Sequence, residues 1–194
     1  MPEIKSLYCI LIFLIPAITS ALILVGGINS VICELLAFLG MAATLGVSIL
    51  AFSETQTNVL IYMNNHFRMD ALSGLFGVLV SLIGLIVILY SFEYIEQEKE
   101  RGALEEGRTR SFYWQIMLFI STMLCVVATN NIIMLWVLIE ATTLASAILV
   151  AFYWNKEALE AGYKYLMLLT VGISFALFGC VLLYSGAAFH VTGG

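Results

Sequence analysis

The sequence predicts an all-α integral membrane protein of six transmembrane helices. Three observations carry that prediction. The 194 residues are 62% hydrophobic and 11% charged, with a mean hydropathy of +1.03, whereas a soluble domain carries about 25% charged residues. Six apolar runs are each close to the roughly 20 residues that a helix needs to cross a bilayer. No ten-residue alternation argues for a barrel, and lipid cannot satisfy open backbone N–H and C=O groups, so the runs must be helical. A water-soluble globule, a disordered tail and a disulfide scaffold are excluded. A formal net charge of −5 without any basic run also excludes a nucleic-acid binder.

The first run, Leu7–Val25, has the look of a secretory signal, with Lys5 ahead of it and Ala17 and Ala21 within it. It continues to Val25 across Pro16, which reads as a kink rather than a stop, so an uncleaved helix is the better reading. Val31–Phe52 and Ala71–Tyr90 follow. Next comes the one long hydrophilic stretch, Glu93–Arg110, in which ten of 18 residues are charged and Gly102 and Gly107 interrupt the run. It reads as a solvated extension of the third helix that turns back at the glycines. The sharper alternative is contact with a neighbouring protein of a complex. Phe112–Ala128 is the shortest span, and the Thr129–Asn131 turn separates it from Ile132–Trp154. Gly162–Tyr184 is the last.

If the helices alternate, Lys5 and Arg68 share one side, and Lys99, Arg101, Arg108, Arg110 and Lys156 share the other. The positive-inside rule puts the second side in the cytoplasm. Both termini then face outward, to the periplasm in a bacterial chain, and the protein is a multi-pass component of the cytoplasmic membrane. Cys9, Cys33, Cys125 and Cys180 fall within spans without a C-x-x-C pair and read as apolar fillers. His66 and His190 lie outside the spans, too isolated to suggest a metal. No phosphate loop, haem attachment motif or iron–sulfur spacing occurs, so neither a cofactor nor a catalytic centre is expected in this chain.

Two charges lie where charge is expensive. Glu140 is about 13 Å in from Asn131 along a helix, near the middle of a hydrocarbon core about 30 Å thick. A charge there costs roughly 2.5–3.5 kcal/mol on insertion scales, which makes it a functional candidate by default. Thr143 at i+3 and Ala147 at i+7 share its face, which is small and partly polar. The plainer alternative is a protonated Glu140 hydrogen-bonded to a neighbouring helix. Lys164 lies about 10 Å beyond Glu157 along the sixth helix. It can snorkel to the surface or pair with Glu160 at i−4. Burial and pairing shift the pKa values of an acid and a base in opposite senses, so a Glu and a Lys at adjacent depths form a charge relay without any cofactor. Glu34, a turn inside the second helix, and Asp70, placed to cap the third by accepting an N–H from Ser73, are lesser candidates with structural readings preferred.

Met69-Asp-Ala-Leu-Ser-Gly-Leu-Phe76, Tyr90-Ser-Phe-Glu-Tyr94, the run Asn130 to Ser146 with its Glu-Ala-Thr-Thr-Leu-Ala-Ser, and Glu157-Ala-Leu-Glu-Ala-Gly-Tyr-Lys-Tyr165 together resemble the antiporter-like membrane subunits. That family includes proton-pumping subunits of respiratory complex I, Mrp-type sodium/proton antiporters, and membrane subunits of hydrogenase 4 and formate hydrogenlyase. The wording is most similar to the F-type subunit of hydrogenase 4. The resemblance covers nearly the whole chain and is strongest from Asp70 to Tyr184. It implies that Glu140 is the fifth-helix glutamate of the family's proton path and that Lys164 is the sixth-helix lysine beside it.

Family members have about fourteen helices built around two inverted five-helix repeats, and the sequence ends three helices into the first. The broken seventh helix, with its central lysine, falls beyond Gly194. The chain is therefore expected to be a partial antiporter-like fold, a fragment or a split subunit, whose partners are other membrane subunits including the missing C-terminal helices. The function expected is proton or sodium translocation coupled to electron transfer in a hydrogenase 4-like or complex I-like assembly. Half of an Mrp-type antiporter without a redox partner, or a non-conducting scaffold, are the alternatives.

Overall fold

A computed structural model describes residues 2–26, 29–57, 59–63, 66–102, 104 and 108–192, with side chains described from residue 7 to residue 186 within those ranges. Six helices and one short hairpin follow in order: α1 (Pro2–Val25), α2 (Ser30–Thr55), β1 (Leu60–Tyr62), β2 (Phe67–Met69), α3 (Ala71–Glu100), α4 (Arg108–Ala128), α5 (Ile132–Val150) and α6 (Lys156–Thr192). All six helices are long and apolar enough to span a membrane, and the chain is a multi-pass membrane protein.

The helices α1, α2, α3 and α4 form a packed body. Helix α1 lies against α2 and α4, α2 against α3, and α4 touches every other member. Its interior is built of Cys9, Ile12, Met41, Ile88, Met117 and Leu124 with their neighbours. Lipid tails are as apolar as these side chains, so close fit and hydrogen bonding have to hold the helices together. Glycines supply the fit: a Cβ on Gly40 would stand 2.5 Å from Thr19 Cγ2, and one on Gly84 would stand 2.8 Å from Met41 Cε. Hydroxyls supply the bonds. Ser20 donates to Trp114 O and Ser121 to Phe13 O, both at 2.8 Å, joining α1 to α4. The hydroxyls of Ser48 and Ser81 meet at 2.7 Å between α2 and α3, and Ser81 also donates to Gly77 O.

The remaining two helices form an arm. Helix α5 packs on α4, and α6 packs on α5, so α6 is exposed along most of its length.

The antiparallel hairpin β1–β2 pairs Leu60 with Met69 and Tyr62 with Phe67. Phe67 also bridges Thr129, and Asn130 N–H donates to His66 O at 2.9 Å. The hairpin thereby ties the α2–α3 link to the α4–α5 turn at one end of the bundle. Three-residue strands leave no alternation to read, and the bridge to Thr129 comes from far along the chain, so no local pattern announces either.

Several ends differ from the apolar runs. Helix α3 continues past Tyr90 to Glu100, so the first charged residues of the 93–110 stretch are helical. Gly102 then turns the chain with φ +71°. Helix α5 ends at Val150 rather than Trp154: Ala151 is its cap, and Trp154 has φ +53°, a left-handed value incompatible with continuing the helix. Helix α6 begins at Lys156, six residues before Gly162, because Asn155 Oδ1 accepts the Ala158 N–H at 2.7 Å and caps it. Helix α1 starts at Pro2 and passes through Pro16 unbroken. His190 lies on the helical backbone of α6; its side chain, like that of Lys5, lies outside the described residues, as does Gly107.

At the opposite end from the hairpin, which is the end holding Lys99, Arg101, Arg108, Arg110 and Lys156, a second small core joins body to arm. Ile95, Leu104 and Phe152 are buried together. Tyr94 and Tyr153 hydroxyls meet at 2.5 Å, and Tyr153 donates to Glu98 Oε2 at 3.1 Å. Burial and these two hydrogen bonds push the Tyr153 phenol up from its ordinary pKa.

Candidate functional site

Helix α5 starts from a well-made cap, in which Asn131 Oδ1 accepts the N–H groups of Ile133 and Met134. From there Glu140 is in the third turn, at the middle of a helix about 28 Å long. It is half-buried, and its Oε2 is shielded completely with no hydrogen-bond partner among the described residues. A buried carboxyl oxygen left in that state costs about 1–3 kcal/mol or more, so a proton, a water or a further polar group is called for at this position.

The polar residues around Glu140 are committed to the backbone. Thr143 Oγ1 donates to Glu140 O at 2.8 Å, Ser146 Oγ to Thr143 O at 2.8 Å, and Thr142 Oγ1 to Leu138 O at 2.9 Å. Thr142 and Thr143 also line an apolar groove of about 330 Å³ between α3, α4 and α5, with Phe76, Val80, Met123 and Ile139 as further walls. Glu140 is not among its walls.

Two hydrogen bonds fix α6 to α5. Trp136 Nε1 donates to Ile173 O at 3.0 Å, and the hydroxyls of Ser146 and Tyr165 meet at 3.0 Å. Gly162 lets the helices close, since a Cβ there would be 3.1 Å from Ala151 Cβ. Spacing along the chain foresees neither hydrogen bond, although a Trp and a Tyr within apolar spans signal that their N–H and O–H need partners.

These contacts decide where Lys164 points. At about 100° per residue, the face carrying Gly162, Tyr165 and Ile173 lies opposite Lys164. Lys164 therefore turns away from α5 and forms a 2.6 Å ion pair with Glu160, at 69% and 56% side-chain exposure. Of the alternatives the sequence leaves open to Lys164, the structure shows the pair with Glu160 at i−4. The physical reason is local. An i,i+4 acid–base pair forms within one helix at no cost in chain closure, while the α5–α6 seam is filled by Gly, Ser, Tyr and Trp.

Asp70 caps α3 and accepts the Ser73 N–H at 2.8 Å. That bond holds its carboxyl below the usual range. Glu34 is half-buried in the second turn of α2, within electrostatic reach of Lys99 and Glu96 on α3. Among the described residues no three His, Cys, Asp or Glu side chains gather as a metal site.

Comparison with known proteins gives a consistent picture. Residues 60–103 match the family model described as NADH-ubiquinone oxidoreductase (complex I), chain 5 N-terminus. Residues 129–191 match that of NADH:quinone oxidoreductase/Mrp antiporter, TM. A hydrogenase-4 component F homolog from Methylacidiphilum infernorum is 37% identical over 121 residues, covering 62% of this chain and 25% of that protein. One of the Na(+)/H(+) antiporter subunits of Alkalihalophilus pseudofirmus is 37% identical over 110 residues, covering 57% of this chain and 13% of its own length. The chain thus spans a quarter or less of these relatives. In fold, it superposes on a chain of the membrane-bound sulfane sulfur reductase, an archaeal respiratory membrane complex, with a TM-score of 0.73 and 19% identity over 94% of this chain and 37% of the other.

Proposed function

The chain belongs to the family of antiporter-like membrane subunits, and from that membership we propose that it contributes to proton or sodium translocation within a multi-subunit membrane complex, with Glu140 as a protonatable relay. The observation that carries the reading is the shielded, partnerless Oε2 of Glu140 at mid-helix. A carboxyl kept there without a fixed partner can take and release a proton at little structural cost, and function is the ready explanation for retaining it.

The exposed Lys164–Glu160 pair supports a second part of the proposal. At this depth, facing away from α5, two charges suit a protein or water-lined surface and not lipid. We place further membrane helices of the assembly, including the C-terminal helices of an antiporter-like subunit, against this face of α6. Lys164 then acts on the ion path through those helices. The excess of basic residues at the end holding Lys99 and Arg110 puts that end in the cytoplasm in this reading, and electron transfer, with its cofactors, belongs to other subunits.

Glu140→Gln tests the relay. In the assembled complex in proteoliposomes, ion translocation falls to background while the complex still forms; unchanged translocation in an assembled variant refutes it. The similarity to an Na(+)/H(+) antiporter component supports a second reading, in which the complex has no redox partner. Co-purification separates the two, since a hydrogenase-like or quinone-reducing arm appears only in the first.

A further inference from the structure

A group of polar side chains at the basic end of the body has no part in the reading above. Glu34 is in the second turn of α2, Thr109 and Tyr113 are in the first two turns of α4, and Glu96 and Lys99 are near the end of α3. Glu34 and Tyr113 lie about 6–8 Å in from the starts of their helices, both of which begin at this end of the bundle.

Tyr113 is 0% and Thr109 1% exposed, and as an i,i+4 pair they share one face of α4. The Tyr113 ring is held by Phe112 edge-on and by Phe92 of α3. Yet neither its hydroxyl nor that of Thr109 has a hydrogen-bond partner among the described residues. The Tyr113 hydroxyl is within electrostatic reach of Glu34 and Cys33. Glu34 is likewise within electrostatic reach of Lys99 and Glu96 on α3, and Cys33 within that of Arg110 on α4. A buried hydroxyl without a partner forfeits its hydration, and a bound water with about two to four polar partners restores it. Here two hydroxyls and a carboxylate supply three.

We propose that Glu34, Tyr113 and Thr109 enclose a hydrated proton-binding site, in which bound water links the two buried hydroxyls to the Glu34 carboxylate. A proton arrives from the solvent beside Lys99 and Glu96 as hydronium. The carboxylate takes it and becomes a carboxylic acid, and the hydronium becomes water. The phenol and the threonine hydroxyl each donate one hydrogen bond and accept another, so they orient the water without changing charge. The inference stands apart from the role given to Glu140, because it concerns hydration and proton uptake at a different end and depth of the bundle.

The full chain in lipid nanodiscs provides the test. In hydroxyl-radical footprinting, which marks side chains beside bound water, Tyr113 is modified despite its burial. Thr109→Val lowers that rate about fivefold, as expected from the loss of one hydrogen bond to the water, while exposed Tyr90 is unaffected. A Tyr113 left unmodified in the unaltered chain overturns the proposal. In acid-minus-neutral infrared difference spectra, a protonated-carboxyl band is absent from Glu34→Gln and displaced in Tyr113→Phe, a variant that keeps the ring packing. The band is the same in sodium and in choline chloride. A band that either variant leaves in place, or that sodium removes at constant pH, overturns the proposal as well.

Discussion

The α1–α4 body and the α5–α6 arm use the same residue types to different ends. In the body, Gly40, Gly74, Gly77 and Gly84 sit where a Cβ would meet a neighbouring helix; in α6, Gly172, Gly179 and Gly186 face open space. In the body, hydroxyls reach across to other helices, as Ser20, Ser121 and Ser48 do. In the arm, Thr142, Thr143 and Ser174 return their hydrogens to their own helix. Charge follows the same division. The middle of the body is free of it, while the arm carries Glu140, Glu160 and Lys164. The lesson is that seams between helices are closed by small residues and hydroxyls, whereas the arm's exposed charge pair, Lys164 with Glu160, is directed at a surface still uncovered.

Substitutions that enlarge or erase that contrast make it testable. Gly40→Val forces atoms into Thr19 at the α1–α2 seam, and overpacking of this kind costs about 1–3 kcal/mol. The thermal midpoint of the purified chain in detergent falls accordingly, whereas Gly179→Ala on the arm leaves it unchanged or higher. Next in size is Asp70→Ala, which removes the cap of α3 and costs about 1 kcal/mol at neutral pH. The Asp70 pKa is lowered in the folded state, so its contribution is present above the unfolded value of about 3.9 and is lost as pH falls through the folded value. An acid titration of stability is therefore shallower in the variant, and identical titrations refute the capping role.

Trp136→Phe keeps the ring but deletes the donor to Ile173 O, a loss of about 0.6 kcal/mol for an interhelical bond in a membrane protein. Hydrogen exchange in α6 accelerates while that of α1 and α4 does not. The smallest effect belongs to Lys164→Gln, at most about 0.5 kcal/mol for an exposed i,i+4 pair. Stability of the chain alone is nearly unchanged, and the consequence is read in assembly with partner subunits by native gel. A large loss of stability in the isolated chain contradicts the placement of Lys164 on an uncovered face.

Much of this is legible in the residues alone. Six apolar runs with too little charge for water dictate six helices, since no other backbone arrangement satisfies its own hydrogen bonds in lipid without closing a barrel. Glu140 stands out for its depth, and Asp70 as a cap for its place before Ser73, because both are set by distance along one helix. What tertiary structure alone decided is everything that depends on rotation between helices. A shift of one residue along α6 turns a side chain by about 100°, so similar depth leaves open whether Lys164 meets Glu140 on α5 or Glu160 on its own helix. The packing of Gly162, Tyr165 and Trp136 settled it. The hairpin and its Thr129 bridge, and the burial of Tyr113 beside Glu34, likewise arise from residues distant in the chain and close only once the helices have packed.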